Sequence, residues 1–202
     1  MKPKVIGVFI FLLSLSLFGE AQAQNVQRKP KEKVDQQEAL EIIRQKREYF
    51  PKFTAQMERI RKNEAIVKEM RFVRGTGRGN PASAGKSVIT IDISFIETPN
   101  KAYDDNRLLV VLFHELGHLY YKKQHPVADK IENEKFAFEY SLKRTMELAE
   151  AGDCQPLQTA VKFLMRRSQS NHTNDVHVIA LKKLVVAPQF LKYKKYAERC
   201  DH

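Results

Sequence analysis

Cysteine is scarce in this chain: 202 residues contain only Cys154 and Cys200. Neither belongs to a close Cys or His pair, which makes both poor zinc ligands. In an oxidising compartment the two could instead join, tying the C-terminal segment to the end of a central helix. Long apolar runs are absent after the N-terminus, so no later segment is suited to cross a bilayer. There is no internal repeat and no nucleic-acid motif. Acidic residues are outnumbered 24 to 35 by basic ones, for a formal net charge of +11. The lysines and arginines are spread over most of the chain, as on a solvated basic surface, and no specific nucleic-acid partner is expected. An anionic envelope surface or an acidic substrate is the partner such a charge favours.

What is present begins with an address. Met1-Lys2-Pro3-Lys4 is followed by an apolar stretch from Val5 to Phe18 and then by Ala21-Gln22-Ala23. A basic region, an apolar region and a small-residue site in that order make residues 1–23 a secretory signal peptide, cleaved after Ala23. The apolar stretch is short for a membrane span of about 20 residues. No cysteine follows the site, so a lipoprotein is not indicated. The expected product is exported, periplasmic or extracellular, and carries a charge of +10. Residues 24–37 read as a flexible leader and 38–202 as one domain, long enough for a single core.

Within that domain, Glu38 to about Met70 has mostly helical spacing, interrupted near Pro51. Met70 to Val73 is a short strand, and the glycines from Gly75 to Pro81 read as a flexible turn rather than a phosphate loop. Ser87 to Ile96 alternates, with Ile89, Ile91, Ile93 and Phe95 on one face and Thr90, Asp92 and Ser94 on the other, as in a half-buried strand. Helices are expected over Asp105–Lys123, Val127–Ala151, Gln155–Arg167, Asp175–Val186 and Gln189–Arg199. The fold class is α+β, mostly helical, with a small antiparallel sheet.

The most specific motif is His114-Glu115-Leu116-Gly117-His118, a HExxH set in the apolar run from Leu108 to Tyr121. On a helix, two histidines four residues apart leave the same face one turn apart and suit two corners of a zinc tetrahedron. Glu115 between them can act as general base toward an attacking water. Asp104, Asp105 and Asn106 are candidate N-caps. Gly117 is unfavourable in a helix by up to about 1 kcal/mol, which makes sense if another backbone passes close by.

A catalytic zinc needs a third protein ligand. On the next helix, Val127, Ile131, Glu134, Phe138, Leu142, Thr145 and Ala149 share a narrow sector at about 100° per residue, so Glu134 lies on the apolar face. A carboxylate there is costly unless it is paired or bound to metal. Glu134 is therefore the candidate ligand with His114 and His118; Glu132 is the alternative, and Glu139 reads as solvated surface.

The order of strand, HExxH helix and glutamate-bearing helix resembles the gluzincin metallopeptidases, loosely the group of CAAX prenyl endopeptidases and HtpX-type proteases. The resemblance covers about Gly79 to Leu184. That group's Glu-x-x-x-Asp signature is absent, and aligning Phe136-Ala137 puts Lys130 where its ligand glutamate falls. Aminopeptidase-type gluzincins carry Asn-Glu-x-Phe-Ala, which is similar to Asn133-Glu134-Lys135-Phe136-Ala137 and implies Glu134. The resemblance implies a zincin-like domain with an active-site helix, a Zn2+ cofactor and a peptide or protein substrate that adds to the strand near Ser87 to Ile96. It also implies a late histidine that stabilises the oxyanion. His177 is that candidate, with Asp175 as its orienting partner or as an N-cap. His125 beside Pro126 reads as a loop residue. A zincin-like binding or regulatory protein without peptidase activity is the alternative.

Overall fold

A computed structural model describes residues 31–77, 79–99, 101–127 and 129–200. The expected signal peptide, 1–23, and the first half of the expected leader, 24–30, lie outside the described residues. Along the chain the elements are β1 (Glu32–Val34), α1 (Gln36–Gln45), α2 (Pro51–Asn63), β2 (Glu69–Arg74), β3 (Ala82–Gly85) and β4 (Val88–Asp92). There follow α3 (Ser94–Glu97), α4 (Asp105–Gln124), α5 (Lys130–Glu150), α6 (Gln155–Ser168), α7 (Val176–Val185) and α8 (Pro188–Arg199). Among the described residues no helix is long and apolar enough to cross a membrane.

The sheet order is β1-β2-β4-β3. It is mixed rather than antiparallel as expected, because β2 and β4 run parallel, with Phe72 opposite Ile91. The connection between them is long enough to return the chain to the same end, and its second half supplies β3, which pairs antiparallel with β4. The C-terminal part of the expected leader is structured too: β1 pairs with β2, and Asp35 caps α1 by accepting from the Gln37 and Glu38 amides.

The alternating segment from Ser87 departs from a strand halfway. Ile93 is helical in its backbone and starts the short α3, so Phe95 and Ile96 are buried from a helix turn. Asp92, expected on the polar face, is buried, with its carboxylate held by Lys31 Nζ at 2.9 Å and by the Gly75 amide at 3.0 Å. A buried carboxylate needs such partners, and these come from segments distant in sequence.

Helix boundaries fall close to the spacing-based expectation where a cap is present. Asp104 caps α4 by accepting from Arg107 N, and Asp129 caps α5 by accepting from Glu132 N. Consequently α5 starts at Lys130 and not at Val127, which is 98% exposed in the preceding loop. Pro51 opens α2 as its first residue, where a missing N–H does no harm. The carboxylate of Asp105 supplies the missing cap, accepting from Lys52 N and Phe53 N, and so joins α2 to the start of α4.

Two hydrophobic clusters meet at α4. Leu108, Leu109, Leu112, Phe113, Leu116 and Leu119 pack with the sheet and α1 to α3. Val110 faces the other cluster, built by α5 to α8 around Phe138, Leu142, Leu164, Leu181 and Phe190. Burial all round is why α4 is apolar all round. Gly117 lets α5 come close: a Cβ added there would sit 2.9 Å from Ala137 Cα and 2.9 Å from Tyr140 Cβ. The far end of the helical layer is tied by a disulfide between Cys154 and Cys200, with Cα atoms 5.8 Å apart.

Two outcomes follow. Gly117→Ala should lower stability by roughly 1 kcal/mol or more despite its better helix propensity, because overpacking against a backbone outweighs that gain; denaturant unfolding with an unchanged midpoint would show that α5 can yield. Replacing both cysteines by alanine should cost about 2–4 kcal/mol for a loop of this length, measured as the loss of stability relative to the oxidised protein.

Candidate metal centre

The site lies where α4, α5 and α7 converge. α4 presents His114, Glu115 and His118, all buried, as a group that could hold a metal ion. α5 brings Glu134 against them, as the apolar-face argument expected. Its Oε2 lies 3.3 Å from His114 Nε2 and 3.6 Å from His118 Nε2, and the two imidazole Nε2 atoms are 3.0 Å apart. From the start of α7, His177 points its Nε2 to within 3.5 Å of the same Glu134 oxygen.

Glu132 stands apart from this cluster. It is on the solvent side, with Lys135 at 3.5 Å and Lys183 at 3.6 Å. His125 lies just past the end of α4, its ring stacked on Tyr121.

Hydrogen bonds orient the rings. His118 Nδ1 donates to Asn133 Oδ1 at 2.9 Å, which leaves Nε2 with its lone pair toward Glu134. His114 is packed on Phe138, with ring centroids 4.3 Å apart. Asp175 does both jobs expected of it: it caps α7 by accepting from His177 N, and it accepts from His177 Nδ1 at 3.0 Å. Arg167 of α6 holds the other oxygen of that carboxylate at 2.9 Å.

The charges follow from burial. Burial pushes the Glu115 carboxyl up to about 7, opposed by His118 and assisted by Glu134. Burial likewise disfavours the charged form of His114 and, together with His114, that of His118. Burial alone would raise Glu134, yet His114, His118 and His177 outweigh it and hold the carboxyl below its ordinary value.

The donor set fits a divalent cation. Metal–ligand bonds of about 2.0–2.2 Å in a tetrahedron put neighbouring donor atoms about 3.3–3.6 Å apart, close to the separations seen among His114, His118, Glu134 and His177. Glu134 Oε2 is also buried without a hydrogen-bond partner. With His118 Nδ1 carrying that ring's proton, its Nε2 lone pair and the Glu134 carboxylate face the same point as His114 Nε2, an arrangement that could hold a cation.

A narrow cleft of about 90 Å³ opens beside this cluster, with His114, Glu115 and His177 on one side and Asn80, Pro81 and Ala82 on another. Those last residues lead into β3, which starts at Ala82 and is one of the two edge strands of the sheet. The strand near Ser87 to Ile96, expected to receive a peptide, is therefore interior: β4 is flanked by β2 and β3, and the edge belongs to β3. A roomier groove of about 900 Å³ runs by Met146, Lys192, Lys195 and Tyr196, remote from the histidines.

Sequence reasoning assigned no role to Asn133, Arg107 or Arg167. Asn133 adjoins Glu134, and a hydrogen-bonding partner for a ligand histidine is a general requirement, so that signal was readable. The arginines reach the cleft only through helix packing. Comparison of the chain with known protein families, with curated proteins and with solved structures finds no match.

Proposed function

We propose that this protein is an exported zinc-dependent metallopeptidase of the gluzincin type, hydrolysing peptide bonds. The observation that carries the reading is the convergence of His114 Nε2, His118 Nε2 and Glu134 Oε2 at mutual distances of 3.0–3.6 Å beside a buried Glu115. His114, His118 and Glu134 would hold the ion. Bound there, zinc supplies Lewis acidity toward a carbonyl and lowers the pKa of a coordinated water to roughly 7.

Glu115 is the general base. Its carboxyl is raised to about 7 by burial, so it can take a proton from the attacking water and hand it to the departing amine near neutral pH. Asn133 keeps His118 in the tautomer a ligand needs. In its imidazolium form, with Nδ1–H donated to Asp175, His177 would offer Nε2–H to the carbonyl oxygen as negative charge develops there. The edge of β3 is where an extended peptide adds its backbone to the sheet. The Cys154–Cys200 disulfide agrees with an oxidising, exported setting.

A second reading draws on one observation: His177 Nε2 is as close to Glu134 as the other imidazoles are. As a fourth ligand it would close the coordination shell, which is the mark of a structural site in a binding or regulatory protein without peptidase activity.

Glu115→Gln should abolish cleavage of a peptide library while zinc content stays near one ion per chain, measured by metal analysis after dialysis; full turnover in that variant would refute the mechanism. Removal of the metal with a chelator should silence the wild type, and added zinc should restore it. His177→Ala separates the two readings. As an oxyanion donor its loss should lower kcat about 10²–10³-fold with metal retained, whereas a ligand's loss should weaken zinc affinity.

A further inference from the structure

Arg107 is a half-buried cation that the proposed reaction does not use. It lies on α4 two helical turns before His114 and lines the same cleft as His114, Glu115 and His177. Its Nη1 is buried without a hydrogen-bond partner among the described residues. The guanidinium stacks over the Phe163 ring, and among the described residues no carboxylate lies within ion-pair distance of it. The neighbouring Arg167 is already engaged by Asp175. Burial disfavours the charged form, lowering the group to about 9, more than the nearby Tyr103 and Asp104 restore. It nevertheless remains charged at neutral pH.

A desolvated guanidinium with an open donor is unfavourable in the free protein. The cost is recovered when an anion of matching shape arrives, and a carboxylate is the anion a peptide offers.

The strands say which side of the substrate carries it. The start of β3 at Ala82 shares a cavity with Leu108 and Val111, near the start of α4, whereas Ala84 further along meets Lys122 from the end of α4 at 3.4 Å. β3 thus advances from the Arg107 end of α4 toward the Lys122 end. A peptide added antiparallel to β3, the more stable pairing, runs the opposite way and brings its C-terminal side to Arg107. Seven residues of helix separate Arg107 from His114, about 10 Å along the axis. An extended chain covers that distance in about three residues.

We infer that Arg107 is a specificity-determining residue that binds a substrate carboxylate a few residues to the C-terminal side of the bond placed at His114, Glu115 and His118. This rests on the metallopeptidase reading for the direction of cleavage, but the anion site itself does not require turnover. The carboxylate is either the free C-terminus of a short peptide or an acidic side chain.

Four fluorescein-labelled hexapeptides of glycine, alanine and serine distinguish these sources: one with a free C-terminal carboxylate, one amidated, one amidated with glutamate in its C-terminal half, and one amidated with glutamate in its N-terminal half. Binding is read by anisotropy to the zinc-loaded Glu115→Gln protein and to the metal-free wild type. The first or third peptide should bind about tenfold more tightly than the amidated neutral one, the strength of one good charge-assisted contact. The fourth should match the neutral one. Arg107→Gln should erase the preference without changing affinity for the neutral peptide, and Arg107→Lys should keep part of it. Arg107→Gln should also raise Tm, since a charged group with a buried, unpartnered Nη1 is gone. Equal binding of all four peptides by the wild type, or a preference that survives Arg107→Gln, overturns the proposal. Should Arg107→Gln not fold, the wild-type comparison of the four peptides decides alone. If no zinc is bound yet the preference holds in the metal-free protein, the peptidase reading falls and the carboxylate site stands.

Discussion

The close approach of α5 to α4 is the constraint on which the rest depends. Without a side chain at Gly117, the backbone of Ala137 can lie against α4. That contact brings Glu134, one turn earlier on α5, to within 3.3–3.6 Å of two imidazole nitrogens. A Cβ at 117 would push the helices apart, and a carboxylate meant for a shared ion cannot reach across an extra ångström. The glycine is unfavourable for helix propensity and favourable for the site, a trade typical of functional positions.

Around that contact the fold supplies rigidity in a graded way. His118 is oriented by Asn133 from α5, and His177 by Asp175, itself held by Arg167 from α6. The His118–Asn133 and Asp175–Arg167 links join different helices, whereas the His177–Asp175 bond lies within the first turn of α7, so ring orientations follow from helix positions and one helix cap. Burial then tunes the groups: it lifts Glu115 toward neutrality, while neighbouring imidazoles keep Glu134 ionised. Two carboxyls in the same cluster therefore differ in proton affinity, as the proposed roles of proton transfer for Glu115 and cation binding for Glu134 require.

The sheet has a quieter part. Its outermost strand, β3, is short and begins at the cleft, and its direction relative to α4 orders the two ends of anything that adds to it. The half-buried guanidinium of Arg107 stands at one of those ends, stacked on Phe163, with its Nη1 short of a partner among the described residues. Arg107 and the histidine pair thus share one face of α4, two turns apart.

Local chemistry made much of this legible from the residues alone. A HExxH spacing on a helix, a carboxylate out of phase with its solvated neighbours, and an Asp-x-His at a helix start are periodic or capping patterns, and all of them came together at the site. Boundaries held at the caps Asp104 and Asp175, whereas the start of α5 moved from the expected Val127 to Lys130 because Asp129 caps it. Strand order, the parallel pairing of β2 with β4, the burial of Asp92 against Lys31 and the position of Arg107 over Phe163 could not be read this way. Each depends on partners far away in sequence, and alternation or helical period reports only which face of an element is buried, not what it is buried against.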